Sequence, residues 1–303
     1  MTQRFRSRPP CGVLILNKPA GLTSREAVDY VFRPLKGNKV GHAGTLDPLA
    51  SGVLVVCVGA ATRLIESVQR LTKTYRTVVR LGARSDTLDA DGRVVAVTDP
   101  PVPGEGEVQV ALASQVGTIL QIPPQFSALK VAGRRAYDLA RAGRTVDLAA
   151  RSVTVHRVDL FRYAWPCLEL EIECGGGTYI RSIARDVGEA LGCGGLVEEL
   201  VRTRIGPFTL AEALDPASLA PSALPCLLRP ALEAVPDLPR LVLTAGAVTA
   251  LVQGQSLPLE GLAGPQPASG EVALVGPDGE LVALGEAVAA AGRLFPRRVL
   301  AGG

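Results

Sequence analysis

Residues Gly41 to Gly52 read GHAGTLDPLASG, a glycine-punctuated segment that forces a turn into whatever fold the chain adopts. Gly41 and Gly44 let the backbone bend where side chains would clash, and Pro48 restricts the chain just after Asp47. The Asp47 carboxylate is thereby presented on a rigid loop, and a carboxylate held that way can act as a nucleophile. Asp47-Pro48 is equally a helix start, with Asp47 as N-cap and Pro48 at the first helical position. The packed glycines and the neighbouring His42 are not needed for that purpose alone.

At 303 residues, with 47% hydrophobic and 20% charged content, the chain can bury one large core or two ordinary ones. The longest apolar run, Gly52 to Ala61, is too short to cross a bilayer and reads as a buried strand. The start, MTQRFRSRPP, leads into an apolar run too short for a secretory signal, so the expected location is the cytoplasm. The six cysteines form no C-x-x-C pair and are expected to be reduced core thiols. His42 and His156 are too few to build a histidine-rich metal cage, and no phosphate-loop or dinucleotide fingerprint occurs, so neither metal nor nucleotide cofactor is expected. His156 lies in a strand pattern and reads as structural.

The net charge of +3 is unevenly distributed. Residues 1–84 carry 14 Lys/Arg against 4 Asp/Glu, whereas residues 211–303 carry 5 against 9. A positive region on a balanced protein is the footprint of a polyanion site, although a solvated basic surface has the same composition. Residues 123–151 add a basic stretch, with Lys130, Arg134, Arg135, Arg141, Arg144 and Arg151 against Asp138 and Asp147. It reads either as an inserted functional arm or as an ordinary basic helix-loop.

Hydrophobic periodicity predicts strands at Val13–Leu16, Val53–Val58, Tyr75–Leu81 and Leu168–Cys174, and a helix opened by a Thr23/Glu26 capping box. A further helix is expected over Ala61–Leu71, and Asp91-Gly92 signals a hairpin turn. After the triple glycine at 175–177 a helix begins with Arg181 in its first turn, where a cation opposes the helix dipole by about 0.3–1 kcal/mol. Arg181 therefore wants an anion nearby. Alternating strands and helices with several hairpins predict an α+β fold on a mixed, largely antiparallel sheet. The Pro-rich stretch 216–239 is the expected linker between a domain at 1–235 and a small β-rich module at 240–303, in which Arg293, Arg297 and Arg298 cluster.

Lys18-Pro19-Ala20-Gly21, GHAGTLDPLASG, Lys73-Thr74-Tyr75, the segment Ile122 to Ala128 and GGGTYIRS together resemble, in the same order, the TruB family of tRNA pseudouridine-55 synthases. The likeness covers about residues 11–210, and the tail is similar to a PUA domain. It implies a pseudouridine-synthase fold, catalysis by Asp47, stacking of Tyr75 on the target base and pairing of Arg181 with Asp47. It also implies that His42 stacks in the RNA loop, that Tyr179 contacts the target nucleotide, that Leu200 closes the pocket, and that Lys18 and Lys130 bind RNA. The implied partner is the T arm of tRNA, modified at position 55 by a monomer that needs no cofactor, membrane or obligate protein partner. Attack at C1′ and at C6 are both open. A non-catalytic tRNA-binding or RNA-folding helper is the alternative. A hydrolytic glycosidase would want a second paired carboxylate that the sequence does not display.

Overall fold

A computed structural model describes residues 9–127, 148–265 and 269–300, with the backbone of 130–131 and 134–135. Most of the expected basic arm, and the Lys130 side chain, lie outside the described residues.

Nine strands form one sheet: β1 (Gly12–Lys18), β2 (Val40–His42), β3 (Ser51–Val58), β4 (Lys73–Leu81), β5 (Gly117–Gln121), β6 (Arg151–Ala164), β7 (Cys167–Cys174), β8 (Gly195–Ile205) and β9 (Phe208–Thr209). Their order is β1-β3-β8-β4-β7-β6-β5, with β2 on β3 and β9 on β8. The pairs are antiparallel except β3 with β8, which run parallel through Ser51↔Val201 and Gly52↔Arg202. The sheet is mixed and mostly antiparallel, as the periodicity implies. β3 is a continuous apolar run because it lies in the middle of the core. β4 and β7 alternate, and the outer face of the sheet there carries pairs such as Arg76–Glu171 at 3.2 Å and, from β6, Arg162–Glu169 at 3.3 Å. Exposed pairs of this sort contribute about 0–1 kcal/mol each and chiefly keep the face soluble.

The inner face of β4 and β7 packs beneath α3 (Glu105–Ala113) and α4 (Ile180–Ala190), whose Val108, Leu112, Ile183 and Val187 meet Val79, Leu168, Leu170 and Ile172. α1 (Ser24–Phe32) opens with the expected capping box and covers β1 and β3 through Ala27, Val28 and Val31. The helix expected over Ala61–Leu71 is instead a 3-10 turn, Gly59–Leu64, followed by α2 (Ile65–Arg70). The Thr62 hydroxyl donates to the Gly59 carbonyl at 2.8 Å, which favours the tighter turn.

The Pro-rich stretch is no linker. β1 is an edge strand whose outward backbone groups need partners, and this stretch supplies them. Val13 and Arg229 exchange backbone bonds at 3.0 and 2.8 Å, while Asn17 donates to Leu214 at 2.8 Å. Leu224, Ala231, Ala234 and Val235 are buried along it.

From Arg240 a second sheet forms, β10 (Arg240–Val242), β11 (Leu257–Pro258), β12 (Ser269–Val275), β13 (Leu281–Val288) and β14 (Arg293–Val299), with α5 (Ala245–Val252) beside it. Ala273, Leu281, Leu284 and Leu300 join the core of Ala61, Leu64 and Val68, so the β-rich module is seated on α2. Its three clustered arginines are engaged within the protein. Arg293 donates to Ser256, Arg297 pairs with Glu286, and Arg298 pairs with Glu66 at 2.7 Å. Cys57, Cys174 and Cys193 are buried thiols as expected, but Cys11 and Cys226 are exposed. His156 is exposed on β6, outside the core. Among the described residues no helix is long and apolar enough to cross a membrane.

Candidate active site

The loop between β2 and β3 is pinned on both sides of Asp47. Gly44 takes φ +110 and Gly52 φ +101, values that only glycine adopts cheaply. Gly41 does not turn; it lies in β2, where its missing side chain makes room for Ile65. No helix starts at Asp47, whose carbonyl merely accepts a bond from Ala50 N at 3.1 Å. The buried Ser24 hydroxyl donates to Leu46 O at 3.0 Å and accepts from Leu46 N at 2.8 Å. On the other flank, Gly21 N donates to Pro48 O at 2.8 Å.

Lys18 departs from the expected RNA surface. It is fully buried, its ammonium donating to Leu22 O at 2.6 Å and Pro19 O at 2.9 Å, with Pro48 O at 3.4 Å. Its carbonyl partners make it a strut beneath the Asp47 loop. Burial lowers its pKa to about 8, against the pull of Asp47.

Arg181 reaches this loop from the first turn of α4, with 4% of its side chain exposed. One guanidinium nitrogen donates to Asp47 Oδ1 at 2.9 Å and to Phe126 O at 2.9 Å; the other donates to Thr87 O at 2.8 Å and lies 3.3 Å from Asp89 Oδ2. Two carboxylates thus offset the cation at the positive end of the helix. Asp89, buried in the loop around Asp91-Gly92, was not legible beforehand. Between Thr87 and Asp89 stands Leu88 at φ +65, a left-handed position costing on the order of 1–3 kcal/mol in a non-glycine residue.

Asp47 lies at the floor of an open cavity of about 360 Å³ whose walls include Tyr75, Tyr179, Ile180, Leu200, Arg151 and Arg202. That size falls within the roughly 300–1,000 Å³ usual for small-molecule sites. About 35% of the Asp47 side chain faces the opening. Its surroundings are otherwise protein, and burial raises its pKa, opposed by Arg181 first and then by Lys18 and Arg202. Burial likewise raises Asp89 and the Tyr75 hydroxyl. Tyr179 caps α4; its N–H donates to Gln121 Oε1 at 2.8 Å, and Arg151 stacks 4.7 Å from its ring centre. Five anticipated residues, Asp47, Tyr75, Tyr179, Arg181 and Leu200, come together here from four parts of the chain. His42 does not join them; it lies on β2, opposite Val56 of β3 and outside the cavity wall.

The matches to known proteins follow the same outline. Residues 33–180 match the N-terminal domain of TruB family pseudouridylate synthases, and residues 181–233 match the tRNA pseudouridylate synthase B C-terminal domain. The tRNA pseudouridine synthase B of Aromatoleum aromaticum is 41% identical over 302 residues, covering 98% of this chain and 95% of its own. The chain belongs to the TruB family of pseudouridylate synthases. Another member, the tRNA pseudouridine synthase B of Thermobifida fusca, is 43% identical, with 91% of this chain and 94% of its own covered. The family's fold is also that of the solved Cbf5-Nop10-Gar1 complex, where a chain 26% identical superposes with a TM-score of 0.75 over 99% of this chain and 91% of its own. The second family match ends at residue 233, so it takes in all but the last six residues of the Pro-rich stretch 216–239.

Proposed function

We propose that this chain is a tRNA pseudouridine synthase that isomerises the uridine at position 55 of the T arm, with Asp47 as nucleophile. The observation that carries the reading is the Asp47 carboxylate, exposed only toward a nucleoside-sized cavity and bonded to the sealed guanidinium of Arg181 at 2.9 Å. The reaction detaches uracil at N1, rotates it and rejoins it through C5, so atoms are only rearranged. The base must first leave its stack, at a cost of a few kcal/mol that contacts in the pocket offset. Tyr75 supplies an aromatic face for it, and Leu200 an apolar wall. Arg181 favours the ionised carboxylate, which is the form able to attack. The positive charge of the first 84 residues draws the phosphate backbone toward the opening. The enzyme is taken to act as a monomer in the cytoplasm, with Lys130 and the arm gripping RNA and the PUA-like tail supporting the catalytic domain.

Release of tritium from C5-labelled uridine in an unmodified tRNA transcript tests this reading, because isomerisation must expel that hydrogen. Wild-type protein is expected to release it and Asp47→Ala to release none while still binding tRNA. A wild-type protein that binds the transcript without releasing tritium is a binding protein, and the proposal fails.

A further inference from the structure

Arg202 is buried to 2% exposure, yet its bonds go to neutral carbonyls: Nε donates to Val53 O at 2.8 Å and Nη2 to Gly44 O at 3.0 Å. Among the described residues, none of the ion pairs includes it. A cation sealed from water with no carboxylate in salt-bridge contact is costly, so the position must return something.

Its place in the sheet indicates what. One edge of β3 is shared by β8, at Ser51 and Gly52, and by β2, at Val56 to Val58. In the gap between, at Val53, the Arg202 side chain donates to the strand's carbonyl. From there its second nitrogen reaches the loop three residues before Asp47. In the register of β8 with β4 it stands opposite Tyr75, and it also forms part of the cavity wall. Gly52 permits the approach: a Cβ there would stand 2.2 Å from the Arg202 carbonyl oxygen.

We propose that Arg202 is a positioning residue for Asp47, clamping the nucleophile loop through Gly44 and placing a third cation, after Arg181 and Lys18, near the carboxylate. The inference rests on Asp47 being the nucleophile. The charged groups facing Asp47 are Arg181 from α4, Lys18 from β1 and Arg202 from β8, with Asp89 beyond Arg181. Lys18 loses its charge above about pH 8, whereas an arginine keeps its own throughout the working range. Arg202, the register partner of Tyr75, also opposes the rise that burial imposes on the Tyr75 hydroxyl.

Two readouts separate charge from clamp: the pH profile of tritium release, and direct titration of Asp47 by NMR of 13C-carboxyl-labelled aspartate, assigned with Asp47→Asn. Arg202→Met should raise both midpoints by about half a pH unit or more. It should also lower kcat by about 10-fold or more, with KM for tRNA changing less than about threefold. Arg202→Lys should leave the midpoint near wild type and still lower kcat, since an ammonium cannot span both carbonyls. If Arg202→Met does not melt cooperatively, Arg202→Gln is the second neutral variant. An unmoved Asp47 midpoint in the folded neutral variant overturns the inference, as does full activity in that variant. The NMR titration does not depend on turnover. A wild type that releases no tritium would therefore sink the proposed function, while the midpoint would still report on Arg202.

Discussion

At the scale of single residues, the site is a contest between desolvation and charge. Burial raises the Asp47 pKa, so the ionised fraction at low pH is smaller than for an ordinary carboxylate. If attack needs the anion, the acid limb of kcat/KM should lie above the usual carboxylate value. Arg181→Met should move it further up, and a pH profile of tritium release checks both statements. An unmoved limb in that variant would remove Arg181 from the argument. Arg181→Lys should lower activity on the order of 100-fold, the usual cost of a misplacement near 1 Å, since one ammonium cannot serve Asp47, Asp89 and two carbonyls together. Stability runs the other way. A raised folded pKa means the folded state holds the proton more tightly, so this contribution is present at low pH and lost as pH rises through the folded value. Asp47→Asn should therefore melt no lower than wild type at pH 7, and a clear drop in Tm would contradict the desolvation account.

At the scale of elements, the close approach of β8 to β3 depends on a bare Cα at position 52. Gly52→Ala would place a Cβ 2.2 Å from the Arg202 carbonyl oxygen at a φ of +101. The conformational cost alone is about 1–3 kcal/mol, and the clash adds to it. Calorimetry should show a Tm lower by several degrees, with activity falling further than stability because the Arg202 backbone shifts. β1 is an equivalent case, since its outer edge is closed by Leu214 and Arg229. Those bonds turn a stretch that composition marks as a linker into part of the sheet's rim.

At the scale of the molecule, the β-rich module shares a core with the catalytic sheet through Ala61, Leu64 and Val68, and Arg298 reaches Glu66. Cutting the chain after Leu238 should therefore expose that apolar surface, lowering Tm and increasing binding of a hydrophobic dye rather than releasing an independent domain. An unchanged Tm in the truncated protein would show that the contact contributes nothing. Binding of tRNA should weaken linearly with log salt concentration, because phosphate contacts release counterions. A flat dependence would separate the basic first 84 residues from RNA recognition.

Local patterns in the chain already determined a good deal. The capping box at Thr23 and Glu26, the alternation of β7, the apolar run of β3 and the first-turn position of Arg181 are set by neighbours in sequence, and each is found where periodicity put it. Asp47 stands out through the glycines and proline around it, a local property, whereas Tyr75, Tyr179 and Leu200 are marked by the resemblance to the TruB family. Burial and pairing across strands are not local. That Lys18 faces inward as a strut, that His42 stands away from the cavity, that Ser24 and Arg202 hold the Asp47 loop, and that Asp89 pairs with Arg181 all depend on segments tens to hundreds of residues apart being brought together. A charged side chain gives no sign in sequence of whether it will meet water or a carbonyl, because that is decided by which strand comes to lie against it.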